Sequence, residues 1–295
     1  MYHILDLSFL GNDDTIASFL VETSAGAVLI ESGPHSTLPV LEKALLKKGF
    51  QLSDIKHVFL SHIHFDHAGA AWCFADLGAN IYVHHKGAKH LASPEKLYNS
   101  AKMIYGERMQ ELWGEMNPIA EKQIFTPAHG ENIVIGDTTF TAWHTPGHAV
   151  HHIAWQMGEN LFAGDVAGVK IKDGIVMPPC PPPDINVEDW LDSIELMKKL
   201  DIKRLLLTHF GAVEDVGKHL SDLETMLKDW SNWMLPQYES GKNQEEIIPD
   251  FEKYVADLLK KSGVKEADIP KYQGANPAFM SVAGLMRYWH KKLTI

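Results

Sequence analysis

Apolar and polar positions along this chain alternate between two periods. Short apolar runs at 15–21 (TIASFLV) and 27–31 (AVLIE) flank the turn-like ETSAG, which predicts a β-hairpin. Leu38, Leu41 and Leu45 then recur at helical spacing and predict a helix over 38–47. A short strand at 57–60, a histidine-rich segment at 61–70, a small helix and a strand at 81–84 continue an alternating α/β pattern. Residues 86–128 interrupt it. Within them Leu97, Ala101, Ile104, Tyr105, Met109 and Trp113 share roughly one face, so a helix is predicted over 97–113. That face either turns toward a site or is ordinary apolar packing. Strands return at 132–135, 139–144, 152–157 and 160–163, with Gly136-Asp137 and Gly158-Glu159 as tight turns. A proline-rich loop at 177–184 (MPPCPPPD) follows, with Asp184 and Asn186 read as turn and capping residues before a helix at 187–200. A buried-type strand at 204–208 comes next, and everything beyond about residue 215 reads as helix.

Composition narrows this picture. With 295 residues and 45% hydrophobic content the chain can build a large core, as one big domain or two small ones. Lysine and arginine number 27 against 38 aspartates and glutamates, a net charge of −11. The stretch 216–295 holds 11 of each sign, so the whole negative balance belongs to residues 1–215. That shift divides the chain into a core at 1–215, with a helical insertion near 86–128, and a helical extension at 216–295. An acidic chain without a basic stripe is a poor partner for nucleic acid. Cys73 and Cys180 are far apart and form no metal or redox spacing; Cys180 reads as a packing residue of the proline loop. The N-terminal apolar stretch is broken by Asp6 and Ser8 and lacks a basic leader, so it does not read as a signal peptide. No stretch of about 18 uncharged apolar residues offers a membrane span. The expectation is a cytoplasmic protein acting on a small molecule, with the helices after 215 serving equally as a substrate wall or a homodimer contact.

The chemistry lies in the 17 histidines. Within Ser61-His62-Ile63-His64-Phe65-Asp66-His67, four candidate metal ligands fall within six residues directly after a strand. In an extended segment His62 and His64 point the same way. The small residues Ala68-Gly69-Ala70-Ala71 then open a helix, so His62 and His64 can address one metal while Asp66 and His67 address its neighbour. Three further strands end in a polar residue: Thr145-Pro146-Gly147-His148, Ala163-Gly164-Asp165 and Thr208-His209-Phe210-Gly211. In open α/β sheets such strand ends are where ligands gather. His151 and His152, just past the turn at His148, read first as sheet residues, with a proton-carrying role as the alternative.

The ordered set SHIHFDH, TPGH, AGD and THFG resembles the metallo-β-lactamase superfamily, closest to its glyoxalase II-like hydrolases, over about residues 1–215. The resemblance implies an α+β fold, a four-layer αββα sandwich, here with the helical C-terminal extension. It implies His62, His64 and His148 as ligands of a first metal ion, Asp66, His67 and His209 as ligands of a second, and Asp165 as the bridge between them. His64 in place of glutamate argues against the flavodiiron branch, and Asp165 in place of cysteine argues against antibiotic hydrolysis. Where the family commonly has Asp-x-Gly, this chain has Glu31-Ser32-Gly33. Glu31 is then either a partner of a ligand imidazole or a plain surface acid.

Two divalent ions, zinc foremost with iron or manganese as alternatives, would share a hydroxide and cleave a thioester, ester or lactone, with Asp66 and Asp165 as the catalytic carboxylates. The alternative implied by the resemblance is a persulfide dioxygenase-like oxidoreductase with a single iron on His62, His148 and Asp165. A phosphodiesterase or nuclease ranks third, for want of a basic surface.

Overall fold

The computed structural model describes residues 1–294. Twelve strands form two six-stranded sheets, each in consecutive strand order. The first holds β1 (Tyr2–Asp6), β2 (Ala17–Thr23), β3 (Gly26–Ile30), β4 (Ile55–Phe59), β5 (Asn80–Tyr82) and β6 (Ile124–Phe125). It opens with antiparallel hairpin pairings and turns parallel from β3 onward. The second holds β7 (Asn132–Ile135), β8 (Thr138–His144), β9 (Ile153–Met157), β10 (Asn160–Phe162), β11 (Arg204–Leu207) and β12 (Gly211–Val213). There β8, β10 and β11 run in one direction, because β9 opposes both β8 and β10 while β10 and β11 are parallel.

The period-2 alternation of the strands sorts their side chains into separate cores. Phe19, Val28, Ile30 and Phe59 face inward and meet Phe140, Trp155, Phe162 and Leu206 of the other sheet, which forms the central layer between the sheets. Their neighbours Leu20, Leu29 and Val58 face outward. They pack beneath α1 (Leu38–Lys47), α2 (Phe65–Ala68), α3 (Ala71–Asp76), α4 (His85–Ala92), α5 (Glu95–Tyr105) and α6 (Met109–Leu112). On the far side Ala154, Leu161, Leu205 and Leu207 pack beneath α7 (Val187–Lys199), α8 (Val216–Glu239), α9 (Gln244–Lys261), α10 (Ile269–Ala275) and α11 (Ala278–Thr294). Helices, sheet, sheet and helices make an α+β, four-layer αββα sandwich, as expected. No helix among the described residues is long and apolar enough to cross a membrane.

Two details differ from the sequence pattern. The helix expected over 97–113 is two helices, α5 and α6, broken at Gly106, whose φ of 57° ends α5. The short strands β1, β6 and β12 carry too few residues to show a period. Asp184 lies in a turn and Asn186 caps α7, accepting from the Asp189 amide at 3.0 Å, as expected.

The C-terminal helices are built into the same cluster as the second sheet, through Leu220, Leu227, Phe251 and Leu285. Helix α11 lies so close to the proline loop that a Cβ on Gly284 would overlap the Cys180 carbonyl. Arg287 Nε and Lys291 Nζ both donate to the Pro183 carbonyl, at 3.2 and 3.0 Å. Because the obstacle is backbone and cannot swing aside, Gly284→Ala should cost about 1–3 kcal/mol of stability by overpacking. Urea unfolding of the variant against wild type measures it.

Candidate metal centre

All four polar segments expected from the sequence leave the sandwich along one edge. Strand β4 delivers His62 and His64, and the first turn of α2 delivers Asp66 and His67. His148 follows β8, Asp165 follows β10 and His209 follows β11. At His148 the turn is set by Gly147, whose φ is +136° and where a Cβ would overlap Trp190. Only glycine allows that approach.

The seven side chains converge into two trios. In the first, His62 Nε2 lies 2.8 Å from His64 Nδ1, and His148 Nε2 lies 3.2 and 3.1 Å from these two atoms. In the second, His67 Nε2 and His209 Nε2 stand 3.7 and 3.4 Å from Asp66 Oδ2. Asp165 lies between them. Its Oδ2 is 3.3 Å from His148, and its Oδ1 is 3.2 Å from His67 and 3.4 Å from His209.

Three of the rings have their orientation set from behind. His148 Nδ1 donates to the Pro179 carbonyl at 2.8 Å and His209 Nδ1 to the Thr15 carbonyl at 2.7 Å. His67 Nδ1 faces Glu31 Oε1 at 3.1 Å. Each partner only accepts, so each Nδ1 carries a proton and each Nε2 is turned inward. His67 Nε2, His209 Nε2 and Asp165 Oδ1 are nonetheless buried without a hydrogen-bond partner. Ring nitrogens and carboxylate oxygens that face one another this way call for a cation between them. The spacing fits one: donors about 2.0–2.1 Å from a tetrahedral ion stand about 3.3 Å apart. His62, His64 and His148 can hold a divalent ion, as can Asp66, His67 and His209; His62, His67 and Asp165 form a third overlapping group.

The profile described as the metallo-beta-lactamase superfamily matches residues 11–209. The chain belongs to that superfamily. A relative from Sulfurisphaera tokodaii, a metallo-beta-lactamase fold-containing protein, is 27% identical over 178 residues, 58% of this chain and 67% of its own. The crystal structure of a metallo-beta-lactamase family protein from Thermus thermophilus superposes with a TM-score of 0.68 at 19% identity, covering 99% of this chain and 93% of that one. A B3 metallo-beta-lactamase with an active-site glutamic acid gives a TM-score of 0.57 at 19% identity, over 77% and 86% of the two chains. At such identities the two structures speak for the fold alone.

Within this superfamily member, electrostatics concentrate the demand for positive charge on the second trio. Burial works against charge on His67, yet Asp165, Asp66 and Glu31 together raise its proton affinity well above the ordinary value. Burial would raise Asp66, but His67 and His209 beside it hold it at about 2. In the first trio burial and the neighbouring His148 lower His64 to about 3, and burial with His67, His64 and His148 takes His62 well below its usual value. Rings there stay neutral, the form that donates a lone pair.

Two residues matter more than the sequence indicated. Glu31 is no surface acid: it is 1% exposed, with Oε1 on His67 and Oε2 accepting from the Ser61 amide at 3.2 Å. Its displacement of the family's aspartate was the available signal. His152, read first as a sheet residue, stacks on His62 with ring centroids 5.2 Å apart. Its Nε2 accepts from the Asp165 amide at 3.2 Å while Nδ1 donates to Thr145 Oγ at 2.8 Å, so it holds the turn that presents Asp165. Cys180 is buried, its thiol pushed up by burial, as suits a packing residue. Glu31→Ala removes the acceptor that orients His67 and should weaken divalent-metal affinity about 10–100-fold. Competition with a chromogenic chelator measures it, and Glu31→Gln, which keeps an acceptor, should fall between.

Proposed function

We propose that the chain is a binuclear metal-dependent hydrolase of the glyoxalase II-like type, cleaving a thioester, ester or lactone of a small molecule. His62, His64 and His148 would hold one ion and Asp66, His67 and His209 the other, with Asp165 shared; zinc is the first choice and iron or manganese the alternatives. The observation that carries this reading is Asp165, a buried carboxylate with one oxygen 3.3 Å from the first trio and the other 3.2 Å from the second. Bound divalent ions supply an activated water and a positive anchor for the oxygen that gains charge as an acyl carbon is attacked.

The chain's own groups do the rest. The Pro179 and Thr15 carbonyls keep the Nδ1 protons of His148 and His209, so the inward nitrogens stay free. Asp66 and Asp165 offset part of the ions' charge. His152 fixes the Asp165 backbone, and Glu31 fixes His67. A single iron on His62, His148 and Asp165 would leave Asp66, His67 and His209 without a task, which favours the hydrolase over the dioxygenase reading.

His64→Ala and Asp165→Ala should each abolish loading of the full metal complement and turnover. The check is metal content by mass spectrometry together with a panel of thioesters, lactones, aryl esters, phosphodiesters and a chromogenic cephalosporin. Unchanged activity in either variant overturns the proposal. So does a single iron with oxygen uptake, or turnover confined to the phosphodiesters or the cephalosporin.

A further inference from the structure

His64, Asp66, His148, Asp165 and His209 form the floor of a cleft of about 550 Å³, a size that encloses most of a small organic ligand. Four segments distant in sequence wall it. Phe9, Leu10 and Ile16 come from the loop between β1 and β2, and α5 supplies Leu97, Ala101, Ile104 and Tyr105. Trp113 stands beside Phe9 and Tyr105, and the prolines of the 177–184 loop line the cleft together with residues 273–280 at the α10–α11 junction, which hydrogen-bond to that loop.

The walls carry almost no charge. Among the described residues, Arg108 is the sole lysine or arginine lining the cleft, an exposed side chain whose Nε lies 3.2 Å from Glu111. The polar amide of Asn276 is engaged as well, donating to the Pro178 carbonyl at 3.1 Å and accepting from Ser281 at 3.0 Å. The basic residues of α11 turn elsewhere: Arg287 and Lys291 to Pro183, and Lys292 to Glu188. Away from the floor, an anionic group on the substrate body would lose hydration against these walls with only the exposed Arg108 to meet it. Leu10, Ile104 and Phe279 stay 45%, 50% and 36% exposed and line the same cleft, so the apolar surface continues to the solvent. Three large exposed apolar side chains on one ligand-sized cleft mark a binding surface rather than scatter.

We infer that the group bound in this cleft is an uncharged, apolar acyl or aryl chain, with the scissile carbonyl at the floor. This rests on the hydrolase reading and adds the substrate's chemical class. In the reaction the acyl C–O or C–S bond breaks. Water gives its oxygen to the acyl carbon and one proton to the leaving oxygen or sulfur, and the acid formed sheds the other proton to solvent. A thioester of glutathione, with two carboxylates, is a poorer fit than a neutral thioester of the same acyl chain.

The test uses metal-loaded full-length protein. Acetyl, butanoyl and octanoyl esters of p-nitrophenol are compared, along with octanoyl thioesters of glutathione and of uncharged N-acetylcysteamine. The expected result is a rise in kcat/KM of about three- to four-fold per buried methylene, a preference for the neutral thioester, and loss of the rise in Ile104→Glu. Calorimetry of 2-decanone, a ketone with no bond to hydrolyse, with the same metal-loaded protein reads the cleft without turnover; binding is expected in wild type and lost in Ile104→Glu. A flat chain-length profile in an active enzyme, a preference for the glutathione thioester, or no ketone binding overturns the inference and leaves the hydrolase reading standing. Ketone binding by a metal-loaded protein that cleaves none of the esters, thioesters or the lactones of the earlier panel overturns the hydrolase reading instead.

Discussion

Five imidazoles and two carboxylates turned toward one another out of water form an arrangement that is unstable by itself. Burying such groups costs free energy unless every proton and lone pair has an assigned direction. Here the directions come from behind, through the carbonyls of Thr15 and Pro179 and the carboxylate of Glu31. Neither Thr15 nor Glu31 lines the cleft, and Pro179 lines it from the proline loop. Together the three decide which nitrogen of each ring looks inward, and hence whether the cluster can receive a cation. The loops that carry them, before β2, after β3 and in the proline run, are positioned by the two sheets. The scaffold therefore acts on the chemistry mainly through proton placement.

The ligand set was legible in the sequence because its information is local. SHIHFDH, TPGH, AGD and THFG each sit at a strand end, and each strand announces itself by its apolar residues. The hidden features depend on contacts between distant segments. Glu31 meets His67 only because the chain after β3 leaves the sheet with a φ of 61° and passes beneath the first turn of α2. His152 has a polar side chain on a buried edge, so its pattern resembled sheet filling until its partners at Asp165 and Thr145 were in view. Asp184, with the proline-loop sequence of a turn residue, stands 3.8 Å from His151. Strands β1 and β12 are edge strands of five and three residues, held by pairing that no local periodicity reports.

The cleft separates two kinds of surface that serve different ends. Its floor concentrates formal charge and demands a counter-charge, while its walls are nearly neutral and select by shape and desolvation. Residues that set substrate preference are thus largely distinct from those that hold the reacting centre. The walls can change at α5 without touching the groups that hold the trios' protons, whereas the proline loop serves both surfaces, since its Pro179 carbonyl holds the His148 proton.

Neither sheet carries a whole trio. His62 and His64 leave the first sheet but are completed by His148 from the second; Asp66 and His67 leave the first and are completed by His209 from the second. A half-folded chain, with one sheet formed and the other not, has at most fragments of each coordination set. Affinity for an ion thus reports on the docking of the two halves, and the ion's binding energy feeds back as adhesion between them. The sandwich is in this sense an assembly lock. On the proposed function, a nascent or misfolded chain whose central layer has not closed would hold neither complete trio and would be chemically silent.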